Sequence, residues 1–457
     1  MTLELAAVLA FVALQLAIGW WVSRRIATED DYLLAGRRMG PILATGTLFA
    51  TWFGAETCVG SAGQVFEHGV SITTAEPFGY GVCLLLMGLV LARPLWRRRL
   101  VTLADLFRAR FSPGVERLAA VLMIPASVLW AAAQLRAFGQ VLASASTLEL
   151  EVAIAAATAI TLVYTTMGGL LADAITDLIQ CGVLILGLVV LFVAVVGDLG
   201  GAGAALRAID PERVALVPSG GSDWLALLED WSIPILGSVV AQELVARVSA
   251  ARSGAVARGA PIAAGLAYVA VGLVPVTLGL VAPRLLGELE HPEQALPLLA
   301  SEHLSPALHL LFSGALVSAI LSTVDSTLLV ASSLASHNLV QPLRPGLSER
   351  ARVRLARGGV VLFGIVAALL ALGAEGVFAL VEAASAFGSA GIVVIVFLGL
   401  FTRIGGRASA YAALIAGAVA YVAAGSAGLA APYLASLAAA LGGYLLFSAG
   451  ARPARPA

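Results

Sequence analysis

The chain has 457 residues, of which 60% are hydrophobic and 12% are charged, and its formal net charge at pH 7 is −1. Soluble domains average about 45–50% apolar and about 25% charged residues, so this composition excludes an ordinary soluble protein. Apolar runs of about 17–25 residues, the length that crosses ~30 Å of hydrocarbon, recur from one end of the chain to the other. The sequence therefore predicts an all-α polytopic membrane protein.

Thirteen runs are long and apolar enough to be candidate membrane spans. In chain order they are approximately 3–22, 41–63, 76–96, 117–147, 152–167, 178–197, 225–246, 259–282, 306–338, 355–373, 377–401, 408–428 and 430–449. Two assignments are weak, because 152–167 is short and because Glu229, Asp230 and Pro234 interrupt 225–246.

All 27 basic residues are arginines, and they fall on alternate sides of the predicted spans. Most lie on one side, whereas only Arg207, Arg213 and Arg284 lie on the other. The positive-inside rule predicts a multi-pass protein of the cell (inner) membrane with its N-terminus outside and its C-terminus in the cytoplasm. Because topology accounts for the arginines, the sequence indicates no nucleic-acid partner.

Two predicted spans contain helix-breaking residues. The second carries four glycines with Glu56 among them, and the seventh carries Pro234 and Gly237. The two spans begin consecutive blocks of five, and paired interruptions of this kind are typical of a transporter site at an inverted repeat. Close helix packing would also explain the glycines, although it would not explain the embedded glutamate.

The ninth span contains SAILSTVDSTLLVASS, Ser318 to Ser333. Its serines and Asp325 follow steps of three, four and seven, so most share one face of a helix. A charged residue in hydrocarbon costs about 2.5–3.5 kcal/mol, and such residues usually face a bundle interior or a water-filled path. These oxygen groups suit a sodium ion, and the alternative is a polar contact between two helices.

Four stretches, in this order, resemble the sodium:solute symporter family, which is built on the leucine-transporter fold. They are YLLAGRRMGPILATGTLFATWFGAET (Tyr32 to Thr57), YTTMGGLLADAITDLIQ (Tyr164 to Gln180), AQELVARVSAARS (Ala241 to Ser253) and the Ser318 to Ser333 stretch. The resemblance covers nearly the whole chain and implies a 5+5 inverted-repeat core with one extra N-terminal and two extra C-terminal helices. The implied parts of this single transport domain are 1–40 (extra helix and loop), 41–200 (first repeat), 201–403 (second repeat) and 404–457 (two helices and a short tail).

The resemblance also implies a sodium site between core helices one and eight. Its ligands would be the backbone carbonyls of Ala50, Phe53 and Ala319 and the hydroxyls of Ser322 and Thr323. Some family members bind a second ion deeper toward the cytoplasm, and the matching side chains here are Asp177, Asp325 and Ser326. Asp325 stands where that pattern has a serine, so this group would hold either a second sodium ion or a proton. The alternative is that Asp177 only caps its helix.

The solute pocket implied by the family lies beside the first core helix. The matching positions are Trp52, Gly54, Glu56, Thr57, Glu76, Gln134 and Arg136. Arg136, which lies within a span, could clamp a substrate carboxylate or pair with a glutamate. Trp231 is the candidate gate, because glycine and serine stand where some members have aromatic gates, and Arg247 is expected to be structural.

Together these features predict a secondary active transporter and not an enzyme. It would import a small polar organic solute, such as the amino acid proline, a carboxylate or a sugar, by sodium symport through alternating access. The predicted cofactor is Na⁺, one ion or two; the lipid bilayer surrounds the chain, and no protein partner is required. The alternatives are a proton-coupled symporter on the same fold and a membrane sensor without transport.

Overall fold

A computed structural model describes residues 3–54, 56–144, 146, 148–214, 224–289, 291–374 and 376–448. Within these ranges the protein is helical, and the β-bridge between Met39 and Ala251 is isolated. Hydrocarbon offers no hydrogen-bond partners, so apolar runs fold as helices, which satisfy their backbone groups internally. The all-α prediction is therefore confirmed for the described part of the chain.

The α-helices follow one another along the chain, with short turns of other helix types between some of them. Their bounds are α1 (Leu3–Ser23), α2 (Glu29–Leu34), α3 (Pro41–Trp52), α4 (Ser61–His68), α5 (Phe78–Leu86), α6 (Ala92–Arg97), α7 (Leu103–Arg110), α8 (Pro113–Ser144), α9 (Leu150–Asp198), α10 (Ala202–Ala208), α11 (Trp224–Ser232), α12 (Gln242–Ala250), α13 (Gly254–Leu286), α14 (Ala295–His303), α15 (Pro306–Ser333), α16 (Glu349–Gly373), α17 (Val377–Ala386), α18 (Ser389–Phe401), α19 (Arg407–Ser426) and α20 (Pro432–Leu446). The π turns are Glu56–Gly60, Met87–Leu91, Ile233–Gly237 and Leu334–Val340, and the 3₁₀ turns are Ala35–Arg37, Pro211–Val214, Pro292–Gln294 and Gln341–Leu343.

Nine helices in the described ranges are long and apolar enough to cross a membrane, or ten if the bent pair around residue 55 forms one span. Shorter apolar helices occur at Val12–Ser23 and Pro432–Leu446. A polytopic chain is thus confirmed, while the count of thirteen spans stays a prediction. Residue 55 of the second predicted span, residues 145 and 147 of the fourth and residues 449–457 at the end of the chain lie outside the described residues.

Both predicted helix breaks are confirmed. In the second span α3 ends at Trp52, Phe53 has non-helical angles (φ −90°, ψ 68°), and the chain continues as the π turn Glu56–Gly60 before α4. In the seventh span α11 passes into the π turn Ile233–Gly237, and α12 begins only after an extended Ala241. A third break was not predicted: Phe387 and Gly388 separate α17 from α18 within the span 377–401.

The predicted spans 152–167 and 178–197 belong to one helical element, α9, of 49 residues. The junction predicted between them is helical except at Gly169, whose angles are φ 56° and ψ −169°. This region of conformational space is essentially restricted to glycine. A Cβ at Gly169 would also lie 2.5 Å from the carbonyl oxygen of Tyr32, so the kink and the close contact with α2 both require glycine.

Helix α15 lies at the centre of the molecule, where it packs against α3, α8, α9 and α16. Every residue from 315 to 334 is buried. Buried polar side chains need hydrogen-bond partners, so the aspartate and the hydroxyls of α15 must find them on the surrounding helices. This requirement locates the functional site.

Glu229, which interrupts the seventh predicted span, has a structural role. Its Oε1 accepts the N–H of Tyr433 at 2.6 Å, and its Oε2 accepts the N–H of Leu434 at 2.8 Å. The first N–H groups of a helix lack partners within the helix and favour a negative charge. The carboxylate therefore caps α20 and joins it to α11.

We expect Gly169→Ala to lower the free energy of unfolding by about 1–3 kcal/mol, because alanine would have to adopt a glycine-only conformation. The control is Gly197→Ala in the same helix, where nothing lies within 4 Å of the added Cβ and φ is not positive. The measurement is the melting temperature of the purified protein in detergent. Equal melting temperatures for the two variants would contradict the assignment of strain to Gly169.

Candidate functional site

Charged and hydroxyl side chains of α3, α9, α12 and α15 form a buried network around Arg247. The Arg247 Nη2 lies 2.8 Å from Asp173 Oδ2 and 3.3 Å from Asp177 Oδ2. Thr47 donates a hydrogen bond to Asp177 Oδ2, and Ser322 donates one to Asp177 Oδ1 at 2.5 Å. Buried charges are tolerated when they are paired and hydrogen-bonded, and this network provides both while holding two carboxylates against one guanidinium.

Ser326 extends the network toward α3. Its hydroxyl donates to Asp173 Oδ2 at 3.0 Å, accepts from Arg247 Nη2 at 2.5 Å, and lies 3.4 Å from Thr51 Oγ1. The structure therefore brings together Asp177 and Ser326, two of the three side chains predicted for a second cation or proton site.

Asp325, the third, lies elsewhere. Its Oδ1 accepts a hydrogen bond from Thr165 of α9 at 2.6 Å, and its Oδ2 has no partner among the described residues. Successive residues of an α-helix point about 100° apart, so Asp325 and Ser326 face different neighbours. The predicted grouping of Asp325 with Asp177 is not observed.

The residues predicted for the first sodium site meet where α15 crosses the end of α3. Thr323 Oγ1 donates to the carbonyl of Thr51 at 3.1 Å and to that of Ala319 at 3.2 Å. Ala50 and Phe53, on either side of Thr51, are buried, and α3 ends between them. The hydroxyl of Thr323 thus lies against the unwound turn, whereas that of Ser322 points to Asp177.

Glu56 lies in the π turn after the break, between α3 and α8. Its Oε2 accepts a hydrogen bond from Gln134 Nε2 at 2.9 Å, and its Oε1 has no partner in the described ranges. The carboxylate folds over Gly54, where a Cβ would lie 2.6 Å from Oε2. Gly54, Glu56 and Gln134, all predicted for the solute pocket, therefore lie next to one another.

A second carboxylate lies beside the first. Glu76 Oε1 accepts hydrogen bonds from Thr57 Oγ1 and from Tyr268 OH, both at 2.7 Å, and these two hydroxyls are also in close contact. Tyr268 belongs to α13. The pairing brings together Thr57 and Glu76, two of the side chains predicted for the solute pocket.

Aromatic rings surround these carboxylates. The ring centroids of Trp52 and Trp130 are 6.0 Å apart, those of Trp130 and Tyr80 are 6.4 Å apart, and those of Tyr80 and Tyr268 are 6.2 Å apart. The indole N–H groups of Trp52 and Trp130 are buried and form no hydrogen bond of normal geometry in the described part of the chain, and that of Trp130 has Glu56 as its neighbour. The pocket thus combines acidic groups, aromatic faces and two indole N–H donors.

Arg136 does not point into this pocket. Its Nη1 donates to the carbonyl of Ala371 at 2.8 Å, in the last turn of α16. Residues two apart on a helix lie on nearly opposite faces, so Arg136 points away when Gln134 points to Glu56. Neither the carboxylate clamp nor the alternative pairing with a glutamate is observed.

Trp231, the candidate gate, lies on α11. Its indole N–H donates to the carbonyl of Ile72, in the connection between α4 and α5, at 2.9 Å. This contact ties the seventh span to the connection that follows α4, at the end of the seventh span remote from Arg247.

Comparison with known proteins adds to this geometry. The profile of the sodium:solute symporter family matches residues 32–419. The chain belongs to the sodium:solute symporter family. The match includes every site residue described above, and members of the family are membrane transporters and not enzymes. The resemblance noted in the sequence is therefore confirmed, and the protein is a sodium-coupled solute transporter.

Individual symporters are similar to the chain at lower identity. Human high affinity choline transporter 1 is 26% identical over 400 residues, which are 80% of this chain and 67% of the human protein. The sodium/pantothenate symporter of Escherichia coli is 27% identical over 383 residues, 80% of this chain and 78% of that protein. A solved Na⁺-coupled sialic acid symporter, in a substrate-bound outward-open state, superposes with a TM-score of 0.87 over 99% of both chains at 18% identity. This structural likeness confirms the leucine-transporter fold.

Three members of the symporter's polar site were not predicted. Asp173 lies four residues before Asp177 on α9, so helical spacing could have indicated it. Arg247 was expected to be structural, and the structure puts it at the centre of the site. Tyr268 lies in an apolar stretch of α13 and carries no local signal of its partnership with Glu76.

Removing the Arg247 charge should destabilise the symporter strongly. We expect Arg247→Gln to lower the free energy of unfolding by about 3–5 kcal/mol, because it leaves two buried carboxylates without their cation. Adding Asp173→Asn should restore part of this loss, since it removes one of the orphaned charges. The measurement is thermal unfolding in detergent, with the exposed Arg284→Gln as control.

The contrary result is additivity, in which the loss of unfolding free energy in the double variant equals the sum of the losses in Arg247→Gln and Asp173→Asn. The two side chains would then not be coupled. That additive result would contradict the ion pair.

Proposed function

We propose that this symporter imports a small organic cation, an amine or a quaternary ammonium compound, together with sodium. The observation that carries the proposal is the buried Glu56, whose hydrogen-bond partner among the described residues, Gln134, is uncharged. Its neighbour Glu76 bonds only the hydroxyls of Thr57 and Tyr268 among the described residues. Burying a carboxylate without a cation is costly, and a cationic solute would supply the missing charge.

The aromatic rings support the same class of solute. Cations bind over the faces of tryptophan and tyrosine, and aromatic cages are a common means of recognising quaternary ammonium groups. Trp52, Trp130 and Tyr80 form such a set of faces beside Glu56. The human relative at 26% identity is named for choline, which is a quaternary ammonium compound.

A carboxylate solute, such as the pantothenate of the Escherichia coli relative, is the second candidate. It would need a cation in the pocket, and Arg136 is the nearest in sequence to Gln134. That guanidinium caps α16 through Ala371. Binding a carboxylate would require Arg136 to leave this carbonyl and turn toward two acidic side chains, so the organic cation is favoured.

The first sodium ion would bind between α3 and α15. The carbonyls of Ala50, Phe53 and Ala319 and the hydroxyls of Ser322 and Thr323 are the proposed ligands. Thr323 already lies within 3.2 Å of two carbonyl oxygens at this crossing, one from each helix. A break in a helix frees carbonyls for this purpose.

A second cation, sodium or a proton, would bind at the Arg247 network. Two carboxylates, Asp173 and Asp177, face one guanidinium, so the network has a formal charge of −1 when both are ionised. Ser326 would add its hydroxyl. Asp325 lies apart from this group, and its free Oδ2 makes it a separate candidate for carrying a proton.

Transport would proceed by alternating access between two inverted repeats, 41–200 and 201–403, with the arginine-rich face in the cytoplasm. One charge moving through 100 mV contributes about 2.3 kcal/mol, and a tenfold sodium gradient contributes about 1.4 kcal/mol. Because a cationic solute also moves with the potential, one sodium and one solute together gain about 6 kcal/mol. This could sustain an accumulation on the order of 10⁴-fold.

Sodium should raise the melting temperature of the purified symporter relative to potassium at equal ionic strength. A ligand at 100 times its dissociation constant stabilises by about 2.7 kcal/mol. We expect Ser322→Ala and Thr323→Ala to lose this sodium-specific rise. Ser333→Ala should retain it, because among the described residues its hydroxyl bonds only its own helix, at the carbonyl of Val330. A normal rise in both site variants would mean that the first sodium site lies elsewhere.

The solute class can be tested with tetramethylammonium and choline. We expect sodium-driven uptake of choline into proteoliposomes, and we expect tetramethylammonium to compete with it. Pantothenate and proline should neither be taken up nor compete. Glu56→Gln should weaken choline binding at least about tenfold, since a charge-assisted interaction is worth about 1.5–3 kcal/mol. Glu229→Gln, also a buried carboxylate, is the control. Uptake of pantothenate but not choline would contradict the cation proposal.

A further inference from the structure

A small cavity lies below the solute pocket, where two broken helices meet α8. One break is at Val240 and Ala241, before α12, and the other is at Phe387 and Gly388, between α17 and α18. The cavity is about 40 Å³ in volume and is bordered by all four of these residues. A water molecule needs about 10–15 Å³ in this measure, so the space is large enough for an ion with a water.

Glu243, in the first turn of α12, borders this cavity and is 3% exposed. Its Oε1 accepts a hydrogen bond from Ser127 of α8 at 2.7 Å. Arg247, one turn further along α12, directs its Nη2 to Asp173 and Asp177, and its Nη1 reaches only the backbone carbonyl of Glu243. No cationic side chain in the described ranges forms an ion pair with the Glu243 carboxylate; Arg247 acts on it only as a nearby charge.

Ser238 also borders the cavity, from the seventh span before its break. It is 1% exposed, and its hydroxyl forms no hydrogen bond of normal geometry among the described residues, its polar neighbour being the hydroxyl of Tyr80. A buried unsatisfied hydroxyl costs about 1–3 kcal/mol. Ser238 shares the cavity with the Glu243 carboxylate and the Ser127 hydroxyl, and such a set of oxygen atoms is suited to coordinating a cation.

The helix ends at the cavity supply further oxygens. The last carbonyls of a helix have no partner within it, and broken helices use such carbonyls to coordinate sodium in other transporters. Gly237, which ends the π turn, and Ser385, in the last turn of α17, both border the space. The N-terminus of α12 also borders the cavity, and the positive end of its helix dipole would repel a cation. The negative charge of Glu243, in the first turn of α12, offsets this repulsion.

We propose that Glu243, Ser127 and Ser238 bind a small monovalent cation, with Na⁺ as the ion tested. The site is separate from the α3–α15 crossing and from the Arg247 network, and it goes beyond the proposed function. Trp130 borders both this cavity and the aromatic pocket. An ion here would therefore hold α8 and α12 together beside a ring of the solute site.

The experiment is equilibrium binding of radioactive ²²Na⁺ to the purified full-length protein in detergent, without solute. We expect Glu243→Gln to lose one bound ion per chain or to weaken its binding at least about tenfold, the range for a charged partner. Ser238→Ala, which is less disruptive to folding, should weaken it about two- to tenfold. Glu229→Gln and Ser436→Ala, buried but outside the cavity, should bind sodium as the unmodified protein does.

Unchanged stoichiometry and midpoint in both cavity variants would overturn the proposal. If Glu243→Gln keeps its sodium binding and changes only the pH dependence of stability, the carboxylate carries a proton, and the cation proposal is likewise overturned. Ser322→Ala, measured in parallel, separates this test from that of the first sodium site. Loss of a further ion when Glu243→Gln is added to Ser322→Ala would support two independent sites.

Discussion

The geometry of the site depends on one buried guanidinium. Arg247 is 1% exposed, and it joins α12 to two carboxylates of α9 and to hydroxyls of α3 and α15. Taking ions out of water costs several kcal/mol each, and their attraction offsets this only if the geometry is good and the remaining polar atoms are satisfied. A shift of one residue on α9 would turn Asp173 and Asp177 by about 100°. The register of four helices is therefore constrained by a single side chain.

Helix breaks make the rest of the site possible. An intact helix uses its N–H and C=O groups on itself and has none for a ligand, whereas each end leaves up to about four free. In hydrocarbon such ends are tolerated only when they are buried in protein or line a cavity. The break after α3 is buried against α15, with Phe53 fully enclosed, and the breaks before α12 and α18 border one cavity beside α8.

Local sequence was sufficient for some of these features and not for others. Apolar runs predicted helices, and glycine or proline within them predicted two of the three breaks. The third depends on Gly388, one of 48 glycines in the chain, and carried no distinguishing signal. Motifs that resemble the family indicated Asp177 and Thr323, whose own partners Arg247 and Thr51 lie 70 and 272 positions away. The partners of Asp325 and Arg136 likewise depend on how α15 and α8 are rotated against residues 160 and 235 positions away.

The two ties that close the pocket differ in strength. On the arginine-rich side Asp173, Asp177 and Arg247 form charge-assisted hydrogen bonds, each worth about 1.5–3 kcal/mol, whereas the Trp231 tie to Ile72 is one neutral bond worth about 0.5–1.5 kcal/mol. Breaking the Trp231 tie is therefore less costly than breaking the Arg247 network.

Sodium at the α3–α15 crossing would reinforce this difference through Ser322. A hydroxyl has one proton to donate and two lone pairs with which to accept. Ser322 can therefore ligate an ion with its oxygen while its proton stays on Asp177, at the edge of the Arg247 network. A bound ion polarises that hydroxyl, strengthens its bond to Asp177 and holds the Arg247 side closed. Sodium that binds first would thus keep the solute pocket accessible from the Trp231 side. A ligand shifts the equilibrium between the two open states only if it binds one of them more tightly, and the Ser322–Asp177 bond would give sodium this difference in affinity.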